Sequence, residues 1–288
     1  MGNRLSNPGN GPRRIRDYVI DEGEIDRLQV QHHIFRTLWE GNFKAPVEEI
    51  LNSGNARVLD VGCGTGTWAC DVISDFPMCH ITGIDRSELL FPYQPPQNVR
   101  FQCVDSYLKG LSAFNDNSFD YLHMRLCWSH FTRDQWRNTI LLELARVIKP
   151  GGWLEIVDFS VDAQNMGPAT AQFVQTILEQ SRLQNLDHQI IPSLPNLLRS
   201  IPSLSPQVHH QIRLLPCGSW DVGLGTCYEN ISRSTLSKSI ENLPPEKAQE
   251  YREMFENILE EIRLYRTSAI CHRIFVQKGT NNSSNIAV

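Results

Sequence analysis

Short apolar runs alternate with amphipathic stretches over the first half of the chain. Residues 58–61 are mostly β-branched or bulky and apolar, which is typical of a buried parallel strand. From residue 65 to residue 76 the period changes, because Trp68, Val72 and Phe76 recur at every fourth position. That spacing predicts an amphipathic helix with one apolar face.

The same alternation continues to about residue 160. Apolar runs predict four more strands, at residues 80–85, 99–105, 119–125 and 153–157. A helix is predicted from about Asp134, and the sequence Lys-Pro-Gly-Gly at 149–152 ends it. Strands that alternate with helices favour an α/β fold with a doubly wound, Rossmann-like parallel sheet.

The second half of the chain has a weaker pattern. Helical spacing predicts helices at residues 168–186 and 244–265, and apolar runs predict strands at 207–215 and 269–276. The segments 160–200 and 223–265 therefore add helical stretches after the regular alternation has ended.

Composition excludes several classes of function. Of the 288 residues, 41% are hydrophobic and 20% are charged, as in an ordinary globular protein. The net charge of −5 gives no broad basic surface, so we expect no nucleic-acid partner. The eight cysteines include no C-x-x-C pair, which indicates a reducing compartment and argues against a metal site. We therefore expect a cytoplasmic protein without a metal.

The turn between the first strand and its helix contains Gly62, Gly64 and Gly66. Glycines let the backbone turn tightly and approach a ligand, and a helix N-terminus presents free N–H groups to it. A dinucleotide motif would have the spacing G-x-G-x-x-G, whereas this turn has G-x-G-x-G. Asp60 also lies two residues before the first glycine. Its carboxylate would repel a pyrophosphate but suits a ligand that carries an ammonium or sulfonium group.

These residues resemble the class I S-adenosylmethionine-dependent methyltransferases, whose first motif is D-x-G-x-G-x-G. Asp60 and the three glycines match that motif position by position. The sequences D-N-S-F-D at 116–120 and K-P-G-G-W-L-E-I at 149–156 resemble the same class. Residues 26–35 and 95–101 are similar to a fungal group that includes secondary-metabolism regulators and trans-aconitate-methyltransferase-like proteins.

The resemblance implies a seven-stranded methyltransferase sheet with one antiparallel strand and helical insertions over the cleft. It also implies that S-adenosylmethionine is the cofactor. Asp85, at the end of the second strand, is expected to accept the ribose hydroxyls, although an NAD site would use the same residue. Arg125, at the end of the fourth strand, is expected to hold a carboxylate. The full set of expected cofactor residues is Asp60, Gly62, Cys63, Gly64, Gly66, Asp85, Arg86, Asp105, Ser106 and Arg125.

No catalytic residue can be named from the sequence. Methyl transfer from a sulfonium needs mainly a positioned acceptor and the exclusion of water. His123 and His130 are weak candidates for a base, since a single histidine is more often a structural residue. Arg27, Gln31 and His32 lie on a predicted N-terminal helix that, by resemblance, folds over the cofactor. A helix that only packs on the sheet is the alternative.

The function predicted is a methyltransferase that acts on a small organic molecule in an enclosed cleft beside Asp60 and Arg125. A protein methyltransferase or a methyltransferase-like regulator of secondary metabolism is the first alternative. An NAD(P)-dependent oxidoreductase is a weaker one, because Asp60 disfavours it and no Tyr-x-x-x-Lys pair is present. A binding module without catalysis is the last.

We expect one methyltransferase domain over residues 18–278, with its core at 45–160 and its substrate-side helices and last strands at 160–278. The polar segments 1–17 and 279–288 predict a flexible leader and tail. Residues 1–6 read M-G-N-R-L-S and fit the signature for myristate on Gly2. One acyl chain binds membranes weakly, so only weak membrane association is predicted, with an unmodified leader as the alternative.

Overall fold

The computed structural model describes residues 20–280 of the chain. It contains a seven-stranded sheet in the order β3-β2-β1-β4-β5-β7-β6. Every neighbouring pair from β3 to β5 is parallel, and β7 runs antiparallel to both β5 and β6. The predicted α/β class and the single antiparallel strand are thereby confirmed. The strands are β1 Arg57–Val61, β2 His80–Asp85, β3 Val99–Cys103, β4 Phe119–Arg125, β5 Ile148–Gln164, β6 Leu204–Pro216 and β7 Ser268–Lys278.

Helices cover both faces of this sheet. One face packs against α4, α6 and α8 through a large apolar core. The other face packs against α2 and α3 near β1, and against α1, α9 and α10 near β7. The helices are α1 Glu22–Leu38, α2 Glu48–Asn52, α3 Thr67–Asp75, α4 Tyr107–Ser112, α5 Arg133–Gln135, α6 Leu141–Val147, α7 Pro168–Leu183, α8 Ile190–Arg199, α9 Leu224–Ile240 and α10 Pro245–Tyr265.

Two boundaries differ from the sequence prediction. Strand β3 was expected to reach Asp105 but ends at Cys103. The chain leaves the sheet there because Ser106 accepts a hydrogen bond from the Lys109 N–H and caps α4. Strand β5 is longer than the predicted 153–157, since it pairs with β7 from Trp153 to Gln164.

The insertions after β5 contain four helices where two helical stretches were expected. Helix α8 follows α7 although it includes Pro195, which disfavours a helix interior. Its apolar residues Ile191, Leu194 and Leu198 are buried in the main core. Tertiary packing therefore outweighs the local propensity. Within residues 20–280, no helix combines the length and apolar character needed to cross a bilayer.

Candidate functional site

The three glycines after β1 all have left-handed backbones, with φ of 74° at Gly62, 53° at Gly64 and 71° at Gly66. Their surroundings differ. A Cβ at Gly62 would lie 2.6 Å from the Cys127 Sγ, and one at Gly66 would lie 2.3 Å from the Phe101 ring. A Cβ at Gly64 would meet no atom within 4 Å. The outer glycines therefore allow close packing, whereas Gly64 faces open space that a ligand can enter.

The carboxylate of Asp85 lies against this turn. Its Oδ2 accepts a hydrogen bond from the Gly64 N–H at 2.9 Å, and its Oδ1 accepts from the Arg86 N–H at 2.6 Å. The Tyr107 hydroxyl lies 3.5 Å from Oδ2. Burial raises the pKa of Asp85 although these backbone donors oppose it. The fold thus brings together two expected cofactor residues from neighbouring strands.

Asp60 lies beneath the turn, paired with a histidine. Its Oδ1 is 2.8 Å from the His123 Nδ1, and both side chains are buried. The indole ring of Trp68 stacks on the imidazole at 3.9 Å with an interplanar angle of 4°. Burial lowers the pKa of His123. Its Nε2 is buried without a hydrogen-bond partner in the described part of the chain, so a polar group of a ligand or a water molecule could bond there.

Arg125 ends β4 on the same face of the sheet, two residues beyond His123. Its Nη2 donates to the His32 Nδ1 at 3.0 Å, and its guanidinium lies 5.8 Å from the centre of the Phe35 ring. The His32 Nε2 is 2.8 Å from the Asp71 Oδ2. Burial lowers the pKa of Arg125 to about 10. Helix α1 therefore contacts the sheet at the position where the resemblance implies a carboxylate site.

The remaining expected residues lie further from this group. Cys63 is buried inside the turn, and burial raises the pKa of its thiol. Arg86 is exposed beyond β2 and contributes its N–H to Asp85. The Asp105 side chain is 84% exposed and pairs with Lys109 at 3.2 Å, while the Ser106 hydroxyl caps α4. The structure does not bring these last two to Asp60, and their cofactor role stays a prediction.

Two residues of the site, Asp71 and Tyr107, could not be predicted from any sequence motif. Asp71 lies on α3, 39 residues from His32, and Tyr107 begins α4, 22 residues from Asp85. Only the docking of helices onto the sheet joins these pairs. Of the residues expected on the N-terminal helix, His32 reaches the site, whereas Arg27 forms an ion pair with Glu24 at 2.7 Å.

Two cavities of about 530 and 450 Å³ lie away from the glycine turn. The larger is lined by residues such as Arg36, Phe43 and Asp75, and the smaller lies beside Val104 and Asp105. The enclosed cleft expected beside Asp60 and Arg125 stays a prediction. Among residues 20–280, no group of three or more His, Cys, Asp or Glu side chains is arranged to hold a metal.

The segment that contains the glycine turn, Asp60 and Asp85 is similar to a known protein family. Residues 58–152 match the family model described as a methyltransferase domain. This segment is therefore similar to a methyltransferase domain. This match covers β1 to β4 and the start of β5, and it includes every expected cofactor residue.

The similar proteins of known name are fungal. The secondary metabolism regulator laeA of Aspergillus fumigatus is 30% identical over 215 residues, which are 69% of this chain and 52% of the relative. The N-methyltransferase verN of Clonostachys rogersoniana is 31% identical over 157 residues, which are 54% of this chain and 53% of the relative. The chain thus spans about half the length of the curated relatives it matches. The expected resemblance to class I methyltransferases of the fungal regulator group is confirmed.

A solved structure supports the fold. A protein described as a putative sarcosine dimethylglycine methyltransferase from Galdieria sulphuraria superposes with a TM-score of 0.51 and 17% identity. The comparison covers 92% of this chain and 94% of that one. At this level of identity the similarity concerns the fold alone, a methyltransferase fold of the Rossmann type.

Proposed function

We propose that this protein binds S-adenosylmethionine at the glycine turn and transfers its methyl group to a small organic molecule. The observation that carries the proposal is Gly64, whose left-handed backbone opens onto free space beside the Asp85 carboxylate. The residues present fit the cofactor. A Cβ would fill the approach at Gly64, two buried carboxylates would face a cationic ligand, and the His123 Nε2 lacks a partner among residues 20–280.

Each residue has a role that follows from its chemistry. Asp85 accepts hydrogen bonds and suits ribose hydroxyls. Its Oδ1 already accepts from the N–H groups of Arg86 and Ser87, but its Oδ2 accepts one backbone bond, from Gly64, and a carboxylate oxygen can accept more than one. Asp60 supplies negative charge near the ammonium and sulfonium groups. When bound, the cofactor supplies an activated methyl group and a good leaving group. The protein then orients the acceptor and excludes water.

The acceptor class is supported by the insertions after β5. Four helices follow that strand, and inserted helices over a doubly wound sheet commonly enclose a pocket. A second candidate is a methyltransferase-like regulator, which the name of the Aspergillus fumigatus relative supports, or a protein methyltransferase, which the name of an Emericella nidulans relative, protein-methionine methyltransferase laeA, supports.

Calorimetric titration tests the cofactor first. S-adenosylmethionine and S-adenosylhomocysteine should bind the full-length protein, and NAD should not. Gly64→Val serves as the control, because it fills the ligand side of the turn and should abolish binding while the far-ultraviolet spectrum is kept. Metabolite profiling of a deletion strain then tests the acceptor. A methylated small molecule that disappears supports the proposal, and an unchanged profile with altered protein methylation supports the second candidate.

We propose further that the protein works in the cytoplasm and that myristate on Gly2 gives it weak membrane association. The cysteine usage supports the cytoplasmic location. Gly2 lies outside the described residues, so the proposed myristate is supported by the six-residue signature alone. The mass of the intact protein from its native host should show one added acyl chain, and Gly2→Ala should lack it. An unmodified N-terminus in that host would overturn the idea.

A further inference from the structure

Helix α1 contributes one buried imidazole to the edge of the glycine-turn site. His32 is 4% exposed. Its Nδ1 lies 3.0 Å from the Arg125 Nη2 and its Nε2 lies 2.8 Å from the Asp71 Oδ2. Three elements, α1, β4 and α3, therefore meet at a single ring.

The partners fix the state of that ring. A guanidinium can only donate hydrogen bonds, so the Nδ1 must accept. The Nε2 then carries the ring proton, and this N–H donates a hydrogen bond to the Asp71 carboxylate. The ring must be neutral, because a protonated ring would turn an N–H toward the Arg125 cation. The other charged groups nearby are Arg36, which pairs with Asp71 at 3.0 Å, and His123 on β4.

Most N–H groups of the Arg125 guanidinium are available to donate hydrogen bonds to a ligand. Its contact with His32 uses one of the five N–H groups of the guanidinium. None of the ion pairs found among residues 20–280 includes Arg125. Burial lowers its pKa, and the carboxylates of Asp60 and Asp71 oppose this shift only through longer-range attraction. A partly buried cation without a carboxylate partner is unfavourable, and an arginine fork matches a carboxylate in geometry. The side chain is thus suited to an anionic group of a ligand.

We propose that neutral His32, held by Asp71, is a positioning residue that orients Arg125 to bind the carboxylate of the amino-acid part of S-adenosylmethionine. This inference rests on the proposed function and deepens it. It makes α1 a part of the cofactor site, so that docking of α1 and binding of the cofactor stabilise each other.

Two ligands separate this role from a merely structural one. S-adenosylhomocysteine carries the amino-acid carboxylate, whereas 5′-methylthioadenosine has the same adenosine and thioether without it. In calorimetry with the full-length protein, His32→Ala should weaken S-adenosylhomocysteine about 10- to 100-fold, the range for a hydrogen bond to a charged group. The affinity for 5′-methylthioadenosine should stay within about twofold. His32→Gln should restore most of the loss, because its amide can accept from Arg125 and donate to Asp71.

The dependence on pH gives a second readout. Burial, with the nearby Arg125 cation adding to it, lowers the pKa of His32 from 6.5 to about 4. The wild-type affinity for S-adenosylhomocysteine should therefore hold at pH 7 and decline as the pH falls toward 4, when the ring takes up a proton. His32→Gln should show a shallower decline over the same range.

The outcomes can be told apart. An equal loss for both ligands in His32→Ala, or no loss for either, would overturn the inference and leave the proposed function standing. A wild-type protein that binds neither ligand would overturn the proposed function and the inference with it. An Arg125→Ala variant that still loses affinity when His32→Ala is added would also count against the inference, because the two residues should act as one unit.

Discussion

The glycine turn and the β5–β7 region hold buried charges on the same face of the sheet, but they use them differently. At the turn, Asp85 borders the open space beside Gly64. In the β5–β7 region, the Glu155 carboxylate is fully buried, 3.2 Å from the Arg273 Nη1. It also accepts a hydrogen bond from the Ala45 N–H at 2.8 Å. The turn leaves space in which a ligand can bind beside Gly64, whereas Glu155 holds the chain segment after α1 against the sheet.

A ligand site and a structural anchor can both be built from buried polar groups. Both regions contain buried polar groups, so burial alone does not separate them. What separates the two carboxylates is access. Asp85 bonds to a turn whose Gly64 has no atom within 4 Å of its ideal Cβ, whereas Glu155 is fully buried among an arginine and two backbone N–H groups.

The largest effect is expected from removing the anchor. Glu155→Ala leaves Arg273 without its carboxylate and the N–H groups of Lys44 and Ala45 without an acceptor. We expect the free energy of unfolding to fall by about 3–5 kcal/mol, as when one partner of a buried ion pair is removed. Urea denaturation measures it. Glu155→Gln keeps an acceptor and should lose less; a loss below about 1 kcal/mol for Glu155→Ala would show that this region is not an anchor.

Gly66 serves packing inside the turn, unlike Gly64, which faces open space. Gly66→Ala should lower the free energy of unfolding by about 1–3 kcal/mol, because the new Cβ meets the Phe101 ring. Gly54→Ala is the matched control, since Gly54 has φ of 86° and no atom within 4 Å of its ideal Cβ. The loss of stability in Gly54→Ala therefore measures only the cost of a left-handed backbone at an alanine. Equal losses in both variants would mean that Phe101 moves aside freely.

Asp85→Ala tests the open side of the turn. Affinity for S-adenosylmethionine should fall by about 1.5–3 kcal/mol, the scale of a hydrogen bond to a charged group. The free energy of unfolding should change less, since two of the three backbone N–H groups that bond to the carboxylate are those of the next two residues, Arg86 and Ser87. Calorimetric titration and urea denaturation of the same protein measure the two quantities. Unchanged affinity would remove Asp85 from the site.

The smallest effect concerns acid stability at Glu229 on helix α9. Burial alone would raise the pKa of Glu229, but hydrogen bonds from Arg263 and Ser219 outweigh it and lower the pKa from 4.5 to about 2. The stability contributed by this lowered pKa is therefore present above about pH 4.5 and is lost as the pH falls toward 2.

Glu229→Gln should lower the free energy of unfolding by about 1–2 kcal/mol at pH 7, a value reduced for the partial exposure of the arginines. It should cost much less at pH 2.5. Urea denaturation at both pH values checks this expectation. An equal loss at the two values would show that charge on Glu229 does not stabilise the fold.

Much of the fold could be predicted from the sequence because its signals are local. The period of apolar residues predicted β1, α3, β2 and β4 nearly to their ends, and the glycine spacing predicted the turn between β1 and α3. Strand β3 was extended too far because the helix cap at Ser106 competes with continued pairing. Helix α8 was not predicted, because its prolines conceal a face that is buried only in the assembled core.

The motif, the α/β class and the place of Asp85 at the end of β2 could be derived from the sequence, since each depends on neighbours along the chain. Which charges meet across the sheet depends on the assembled fold. Arg125 and His32 are 93 residues apart, and Lys44 and Glu155 are 111 residues apart. No local pattern encodes such contacts, because they depend on how α1 and the segment after it dock against strands that form much later in the chain.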